Sequence, residues 1–300
     1  MQGNEKFLRR VASYAHKHAL WREGERILAA VSGGPDSLAL LLALKLLAVK
    51  EKINIGCCCV NHHLRAAAGK EAEFVESVCR EGNIPFILKE VDVQSAVRNG
   101  GSIETAARDL RYKALREAAR GGRYAKIAVP HHGDDQAETV LYHLLRGSGV
   151  TGLSGMKPIN GDIIRPFLCV SKNEIKDFLK DFSYVPCHDE SNDVEDAVRN
   201  RIRLSLVPEL ISYNPRVTES LRRTADIFRE EDLFMEEKAD VFISSCVEHD
   251  NDKCVFFIAY FLALHIALQR RVIRKICCMV AGRIPSFEGI EKFIFLIDAG

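Results

Sequence analysis

The chain has 300 residues, more than one typical domain, and it is 47% hydrophobic and 28% charged, as is usual for a soluble globular protein. A formal net charge of +1 does not by itself indicate a polyanionic partner. The charged N-terminal residues Glu5, Lys6, Arg9 and Arg10 are followed by no apolar core, which excludes a standard secretory signal. We expect two domains, or one large domain with an appendage.

The ten cysteines indicate a reducing compartment. Several are adjacent, as in Cys57-Cys58-Cys59 and Cys277-Cys278, and adjacent cysteines do not form a regular disulfide framework. The chain contains no C-x-x-C pair, which argues against structural zinc and against an iron–sulfur cluster. We therefore expect reduced thiols in a cytoplasmic protein.

Apolar runs alternate with helical patterns through the first half of the chain. Strands are predicted at 27–31, 53–60, 84–91 and 126–131, each followed by a helix, at 35–49, 70–81, 102–120 and 134–146. This alternation is typical of βαβ units and predicts an α/β fold with a parallel sheet covered by helices. Because ligands bind at the carboxyl ends of such strands, we expect the chemistry at 32–37, 61–65 and 131–135.

The first of these segments has the composition of a pyrophosphate-binding loop. Ser32-Gly33-Gly34-Pro35-Asp36-Ser37 follows a buried strand and opens a helix, where a first-turn proline costs no hydrogen bond. The two glycines allow close backbone approach, and free N–H groups with the helix dipole form an anion site. The lysine of the G-x-x-x-x-G-K-[ST] loop is missing, which fits enzymes that hold the β,γ-pyrophosphate of ATP and transfer AMP. An ordinary glycine-rich turn is the alternative.

The alternation ends after Gly147-Ser148-Gly149. A strand at 162–166, a helix at 171–182 and a polar loop at 187–193 follow, and the sequence is predicted to be helical from about residue 195. We expect a catalytic domain over 1–212 and a smaller all-helical domain over 213–300. The apolar segment 254–268 is too short to span a bilayer and is predicted to be a buried helix of the second domain.

Further polar clusters follow the later strands and helices. They are Asn61-His62-His63-Leu64-Arg65, His131-His132-Gly133-Asp134-Asp135-Gln136-Ala137-Glu138-Thr139, Arg146-Gly147-Ser148-Gly149-Val150-Thr151-Gly152-Leu153, Asp189-Glu190-Ser191-Asn192, Arg199-Asn200-Arg201-Ile202-Arg203 and Ala267-Leu268-Gln269-Arg270-Arg271-Val272-Ile273. In their order and spacing, these clusters make essentially the whole chain resemble the tRNA(Ile)-lysidine synthase family, within the N-type ATP pyrophosphatase (PP-loop) superfamily.

The resemblance implies a two-step modification of an isoleucine tRNA that has a CAU anticodon. ATP adenylates the wobble cytidine at C2, and the ε-amine of free L-lysine then displaces AMP to give lysidine, so that the anticodon reads AUA. The first step needs a neutralised pyrophosphate leaving group, usually with Mg²⁺. The implied ligands are therefore ATP, Mg²⁺, L-lysine and the tRNA, with no membrane partner. The sequence leaves a monomer and a homodimer both open.

The resemblance also implies roles for individual residues. Asp36 helps to hold the metal, although a helix-start carboxylate is its alternative; Asp135 and Glu138 bind the ammonium groups of lysine, with a capping box as the alternative. One of His131 and His132 contacts phosphate or transfers a proton. The other implied catalytic residues are Arg111, with Arg108 second, and Arg199; the implied ATP-binding residues are Ser32, Gly33, Gly34, Pro35, Asp36, Ser37, Asn61 and His62.

Arginines are concentrated in the last third of the chain. Such a run is either a solvated helix face or a surface that tracks phosphates. The resemblance favours the second interpretation and implies tRNA binding. For the adjacent residues Arg270 and Arg271, ion pairs within the domain are the alternative. The residues assigned to the tRNA are Arg203, Arg222, Arg223, Arg270 and Arg271.

Two features depart from the family pattern. The run Ala66-Ala67-Ala68-Gly69 replaces a polar or acidic one, and the chain stops at Gly300 where many members continue into a tRNA-binding domain, which fits a short-form member or a truncated chain. Two rival functions stay open. The first is another PP-loop enzyme: a thiolase would need cysteine pairs, and an amide-forming enzyme would lack the 189–192 segment. The second is a non-enzymatic ATP-binding module, which would not need Asp135 and Glu138.

Overall fold

A computed structural model describes residues 2–61, 68–93, 103–187, 197–250 and 253–299. The chain divides into two compact units, one of Met1–Ser148 with Gly155–Ala225 and one of Gly149–Ser154 with Asp226–Gly300. The sequence places a domain boundary near residue 212, whereas the first unit extends to Ala225. Arg222 accounts for part of this difference, because it donates a hydrogen bond to the carbonyl of Cys169 in the first unit.

The first unit is built on a sheet with strand order β3-β2-β1-β4-β6-β5 in the described residues. Every pair in this sheet is parallel except β5 with β6, and the predicted α/β fold class is confirmed. The central strands are short apolar runs with buried side chains, as expected for a sheet covered on both faces. The strands are β1 (Arg26–Ala30), β2 (Asn54–Asn61), β3 (Phe86–Glu90), β4 (Lys126–Ala128), β5 (Ile159–Asn160) and β6 (Ile163–Ile164).

Helices cover this sheet and form most of the second unit. In chain order they are α1 (Gln2–Lys17), α2 (Pro35–Glu51), α3 (Ala68–Glu81), α4 (Ile103–Gly121), α5 (Gly133–Leu145), α6 (Val150–Leu153), α7 (Lys172–Leu179), α8 (Ala197–Arg201), α9 (Val207–Tyr213), α10 (Val217–Cys246), α11 (Ile258–Leu262), α12 (Ile266–Ala281) and α13 (Phe287–Ala299). A 3-10 turn, Pro166–Cys169, follows β6, and a π-helical turn, Ile202–Leu206, joins α8 to α9.

The core of the first unit surrounds α2, whose residues 37–44 are all buried. Helix α1, which the sequence analysis did not predict, packs into this core. Its Phe7 ring stacks on Phe178 at 4.5 Å between centroids and meets Phe167 edge-on at 5.5 Å. Phe7, Val11 and Ala15 are buried at the i, i+4, i+8 spacing of one helix face.

The second unit is mostly helical and contains a hairpin of β7 (Val247–Asp250) and β8 (Lys253–Phe256). The prediction of one buried helix over 254–268 is wrong. Phe257 has extended backbone angles that end the strand, and His265 caps a new helix by accepting the N–H of Ala267 at 3.2 Å. Within the segment, Phe257 is 76% exposed. The buried core of this unit comprises Ala239, Phe242, Phe261, Val272, Ile273 and Ile290.

All ten cysteines lack a disulfide. Among the helices that the structure describes, none combines the length and apolar character needed to cross a membrane.

Candidate active site

The glycine-rich loop joins β1 to α2 and is held by its two serines. The Ser32 N–H donates to the Ser37 hydroxyl oxygen at 3.1 Å, and the Ser37 hydroxyl donates to the Gly34 carbonyl at 2.9 Å. Gly33 has φ of +89°, a conformation that favours glycine. Gly34 is the N-cap of α2 and supplies no side-chain cap, so the first-turn N–H groups are suited to an anion.

Asp36 lies in the first turn of α2, beside this loop. Its Oδ1 is buried with no hydrogen-bond partner in the described part of the chain, and its Oδ2 lies 3.7 Å from Nε2 of His132. A buried carboxylate oxygen without a partner is costly unless a cation or donor approaches it. Mg²⁺ in nucleotide sites is held by one or two carboxylates together with substrate phosphates, and the Asp36 carboxylate fits that role.

His132 ends the chain segment after β4 and is the N-cap of α5. Its backbone N–H donates to Oδ2 of Asp135 at 2.9 Å, and its Nδ1 accepts the Asp135 N–H at 3.4 Å. A capping box is therefore present, but its members are His132 and Asp135 and not Asp135 and Glu138. Burial disfavours a charged ring, yet the nearby carboxylates of Asp135, Asp36 and Asp134 raise the pKa of His132 above its usual value.

His131 faces a different set of groups. Its Nδ1 is buried and has no hydrogen-bond partner among the described residues. Burial lowers the pKa of His131 to about 3; Asp135 opposes this shift, and three arginines, Arg165, Arg111 and Arg108, add to it. The two adjacent histidines thus have opposite surroundings, because His132 lies among carboxylates and His131 beside guanidinium groups.

The acidic pair of α5 already binds a cationic head group. Arg203 Nε donates to Glu138 Oε1 at 2.8 Å, and its Nη2 donates to Glu138 Oε2 at 3.1 Å and to Asp135 Oδ1 at 3.2 Å. Burial raises the pKa of Glu138 although Arg203 acts in the opposite direction, while His132, His131 and Arg203 outweigh burial and lower the pKa of Asp135. Arg203, which the sequence analysis assigns to tRNA, thus forms hydrogen bonds with two carboxylates of its own unit.

Two other arginines of the first unit also pack against α5 or its supports. Arg199 donates to the Thr139 hydroxyl at 3.0 Å. Arg222 lies under the first turn of the helix, where a Cβ on Gly133 would come within 2.7 Å of its Nη1. Arg223, by contrast, is exposed. The residues predicted for ATP, metal and lysine binding are thus brought together at one edge of the sheet, apart from those outside the described residues.

The predicted tRNA-contacting arginines of the second unit form ion pairs. Arg270 forms a bidentate ion pair with Glu291, in which its Nε donates to Oε1 at 2.7 Å and its Nη2 donates to Oε2 at 3.1 Å. Arg271 is only 11% exposed and contacts both Asp232 and Glu236 at 2.5 Å. Their assignment to tRNA stays a prediction, and the alternative of intradomain ion pairs has a structural basis.

His62 and the segment 189–192 of the predicted site lie outside the described residues. Asn61 ends β2 and is buried. The Cys187 N–H donates to the Gly33 carbonyl at 3.0 Å, so the chain contacts the glycine-rich loop at Cys187.

Sequence reasoning missed Arg165, which follows β6 and is 6% exposed. A signal was present, since Arg165 directly follows an apolar strand and precedes Pro166, and residues after parallel strands are candidates for chemistry. The strand Ile163–Ile164 is too short to stand out by periodicity.

The family model for the PP-loop domain matches residues 4–210. The chain is 35% identical over 299 residues to a tRNA(Ile)-lysidine synthase from Caldanaerobacter subterraneus subsp. tengcongensis, covering 98% of this chain and 63% of that protein. It is 36% identical over 282 residues to a tRNA(Ile)-lysidine synthase from Geobacillus kaustophilus, covering 92% of this chain and 61% of that protein. The chain therefore spans less than two thirds of the length of either relative.

A solved structure shares the fold. The U34-tRNA thiolase NcsA from Methanococcus maripaludis, with its [4Fe-4S] cluster, superimposes with a TM-score of 0.59 at 16% identity, over 76% of this chain and 80% of that one. In the residues that our structure describes, no group of three or more His, Cys, Asp or Glu side chains is arranged to hold a metal ion.

Proposed function

Because the chain belongs to the family of PP-loop domains, we propose that it is an ATP-dependent ligase that modifies RNA in the cytoplasm. It joins L-lysine to C2 of the wobble cytidine in an isoleucine tRNA with a CAU anticodon, through an adenylated tRNA, and releases pyrophosphate and AMP. The similarity to two tRNA(Ile)-lysidine synthases over most of this chain supports this reaction.

The observation that carries the proposal is the occupied acidic pair. Asp135 and Glu138 bind the guanidinium of Arg203 through three hydrogen bonds, and they lie on the helix capped by His132, next to Asp36. A site that holds the guanidinium of an arginine side chain by charge-assisted hydrogen bonds is chemically suited to the ammonium group of lysine. Lysine then enters by replacing Arg203 or by sharing the carboxylates with it.

The loop residues bind the phosphates of ATP. Ser32, Gly33, Gly34 and Ser37 present N–H and hydroxyl groups at the start of α2, where the helix dipole favours an anion. Asp36 holds Mg²⁺, which when bound neutralises charge on the departing pyrophosphate. Asn61, at the end of β2, lies one strand away from the loop and contributes to the same ATP site.

His132 is the better of the two histidines for proton transfer. Its pKa is raised by three carboxylates, which keeps a proton available near neutral pH. His131, with a pKa of about 3, stays neutral and serves as a hydrogen-bonding group. Arg111 and Arg199 remain the assigned cationic catalytic residues.

The direct test incubates the full chain with ATP, labelled L-lysine and a transcribed isoleucine tRNA with a CAU anticodon. We expect AMP and pyrophosphate release that depends on tRNA, and a mass increase of the tRNA that depends on lysine. Release of AMP at full rate without tRNA would contradict the proposed substrate. Incorporation of sulfur from sulfide, or of nitrogen from ammonia, in place of lysine would assign the chain to a rival reaction.

Asp36→Ala tests the metal assignment. We expect adenylation to be abolished with little change in stability, because the substitution removes a carboxylate that is 29% exposed and no core volume. Asp177→Ala, at an exposed ion pair with Lys180, is the matched control and should retain full activity. Pyrophosphate release by Asp36→Ala at the rate of the unchanged chain would remove Asp36 from the mechanism.

A further inference from the structure

Arg165 is a buried arginine whose side chain is incompletely paired. It is 6% exposed, and its Nη1 donates to the Lys157 carbonyl at 2.8 Å. Burial lowers the pKa of Arg165, and the nearby Tyr112 acts in the opposite direction. The Nε is buried and has no acceptor in the described residues. A buried guanidinium without a counter-ion is costly, so this environment is suited to an anionic ligand.

The groups around Arg165 are mainly basic, although the Asp135 carboxylate also acts on His131. Strands β4 and β6 are neighbours, and the Val129 N–H donates to the Ile164 carbonyl at 3.0 Å, so His131 and Arg165 leave the same edge of the sheet side by side. Arg108 and Arg111, from α4, lie with their guanidinium carbons 5.7 and 5.8 Å from the centre of the Tyr112 ring.

Electrostatic effects agree with this geometry. Burial lowers the pKa of His131, Asp135 opposes this shift, and all three arginines add to it. Burial also lowers the pKa of Arg165, Tyr112 opposes that shift, and Arg108 adds to it. Within the described ranges, none of these arginines forms an ion pair with a carboxylate, whereas Arg116 on the same helix pairs with Asp162 at 3.0 Å. We call Arg165, Arg108, Arg111 and His131 the basic pocket.

The position of the basic pocket selects among anions. Along the strand order β2, β1, β4, β6, Asn61 and the glycine-rich loop occupy the ends of the first two strands, which are assigned to ATP. Arg165 lies at the end of the fourth, two strand spacings or about 10 Å from the loop. With ATP assigned to the loop, the proposed second substrate is the anionic ligand left for the basic pocket.

We propose that the basic pocket, anchored by Arg165, binds a phosphodiester of the RNA substrate beside the nucleotide that is modified. This inference rests on the proposed RNA substrate. The buried guanidinium supplies directional N–H donors that are fixed by the bond to the Lys157 carbonyl, and the two exposed arginines of α4 add charge. A fixed arginine next to a phosphate positions the RNA backbone and carries no sequence information itself.

The test measures binding and not turnover. A synthetic anticodon stem-loop with a CAU loop is titrated into the full chain and into Arg165→Gln, Arg165→Lys, Arg108→Gln and Arg116→Gln, across a range of salt concentrations. Inorganic pyrophosphate and ATP are titrated in parallel. Arg116→Gln is the control, because it removes the same charge from the same helix but from a residue already paired with Asp162.

We expect Arg165→Gln and Arg108→Gln each to weaken stem-loop binding about tenfold and to reduce the salt slope by about 0.7, with ATP binding unchanged. Arg165→Lys should recover part of the salt slope and less of the affinity. Loss of pyrophosphate binding in place of RNA binding would assign the pocket to the leaving group and overturn the inference. Unchanged RNA binding in Arg108→Gln, with only a stability loss in Arg165→Gln, would reduce Arg165 to a support of the hairpin of β5 and β6.

These outcomes are separable from failure of the proposed function. Stem-loop binding that depends on Arg165, without lysine transfer, would retain the pocket and contradict the reaction. Lysine transfer with RNA binding that ignores Arg165 would retain the reaction and contradict the pocket.

Discussion

His131 is neutral in the folded chain, and this makes stability depend on pH. Its pKa is lowered by burial to about 3, while an unfolded histidine titrates near pH 6.5. Between these values the unfolded state binds the extra proton, so the free energy of unfolding decreases as the pH falls below about 6.5. The slope from this residue approaches about 1.4 kcal/mol per pH unit.

His131→Asn removes this dependence. We expect urea unfolding between pH 7.5 and 5 (a range chosen around the ordinary histidine pKa of about 6.5) to have a smaller pH slope in the variant. His132 acts in the opposite sense, because its raised pKa makes its contribution larger at low pH, and it is present in both proteins. Identical slopes in the two proteins would mean that the pKa of His131 is the same in the folded and unfolded states.

Variants of Asp135 and Glu138 distinguish a role in lysine recognition from a purely structural role. If they hold the ammonium group, Asp135→Asn and Glu138→Gln spare tRNA-dependent adenylation and raise the lysine requirement about ten- to a hundredfold, since a charge-assisted hydrogen bond contributes roughly 1.5–3 kcal/mol. Adenylation and lysidine formation are measured separately across a lysine titration. An unchanged lysine requirement, with stability lowered by roughly 1 kcal/mol, would leave only the capping and ion-pair roles.

At the scale of elements, Arg203 joins the π-helical turn Ile202–Leu206 to α5. Arg203→Gln leaves the Glu138 carboxylate, which is 7% exposed, without its cation, so we expect stability to fall by about 1–3 kcal/mol. Free L-lysine should then raise the unfolding temperature of the variant more than that of the unchanged chain, because its ε-ammonium group replaces the guanidinium and binding stabilises the folded state. L-norleucine, which has the same α-ammonium group but lacks the ε-ammonium group, should have no effect. Equal responses to both amino acids would contradict a site for the ε-ammonium group on α5.

The first turn of α5 depends on a glycine for close packing. A Cβ on Gly133 would lie 2.9 Å from the Val170 carbonyl oxygen and 2.7 Å from Arg222 Nη1, and the backbone carbonyl has little freedom to move. We expect Gly133→Ala to lower the free energy of unfolding by about 1–3 kcal/mol. Gly69→Ala, in a helix with nothing within 4 Å of the added carbon, should be neutral or stabilising.

Which elements the sequence predicts depends on how each one is buried. Strands β1 to β4 lie within a few residues of their predicted positions. Strands β1, β2 and β4 are mainly apolar and largely buried, and the edge strand β3 begins with the apolar residues Phe86-Ile87-Leu88. Helix α1 was missed because the stripe of Phe7, Val11 and Ala15 is interrupted by charged residues that face solvent. The hairpin of β7 and β8 was missed because its residues lie in a region that the sequence predicts to be helical, and strands this short show little periodicity.

At the scale of the whole molecule, the same limit applies to the site. Topology brings the glycine-rich loop and the 131–138 cluster to one sheet edge, so their proximity follows from the strand pattern alone. The pairing of Arg203 with Glu138 joins residues 65 positions apart, and the buried state of Arg165 depends on a two-residue strand. Neither contact has a local sequence signal, because both arise from tertiary packing.

The arginines of the last third differ in their partners, and this difference predicts which of them contribute to the proposed RNA binding. Arg271→Ala leaves Asp232, 7% exposed, and Glu236 without their shared cation, so we expect a stability loss of about 2–4 kcal/mol with little change in the salt slope of tRNA binding. Arg223→Ala removes an exposed arginine for which no ion pair is found in the described residues. We expect it to reduce the magnitude of the slope by about 0.7–0.9 and to leave stability within about 0.5 kcal/mol. Both variants are compared by filter binding at several salt concentrations and by urea unfolding. A reduced slope for Arg271→Ala with unchanged stability would return this residue to the RNA-binding surface and make its ion pairs incidental.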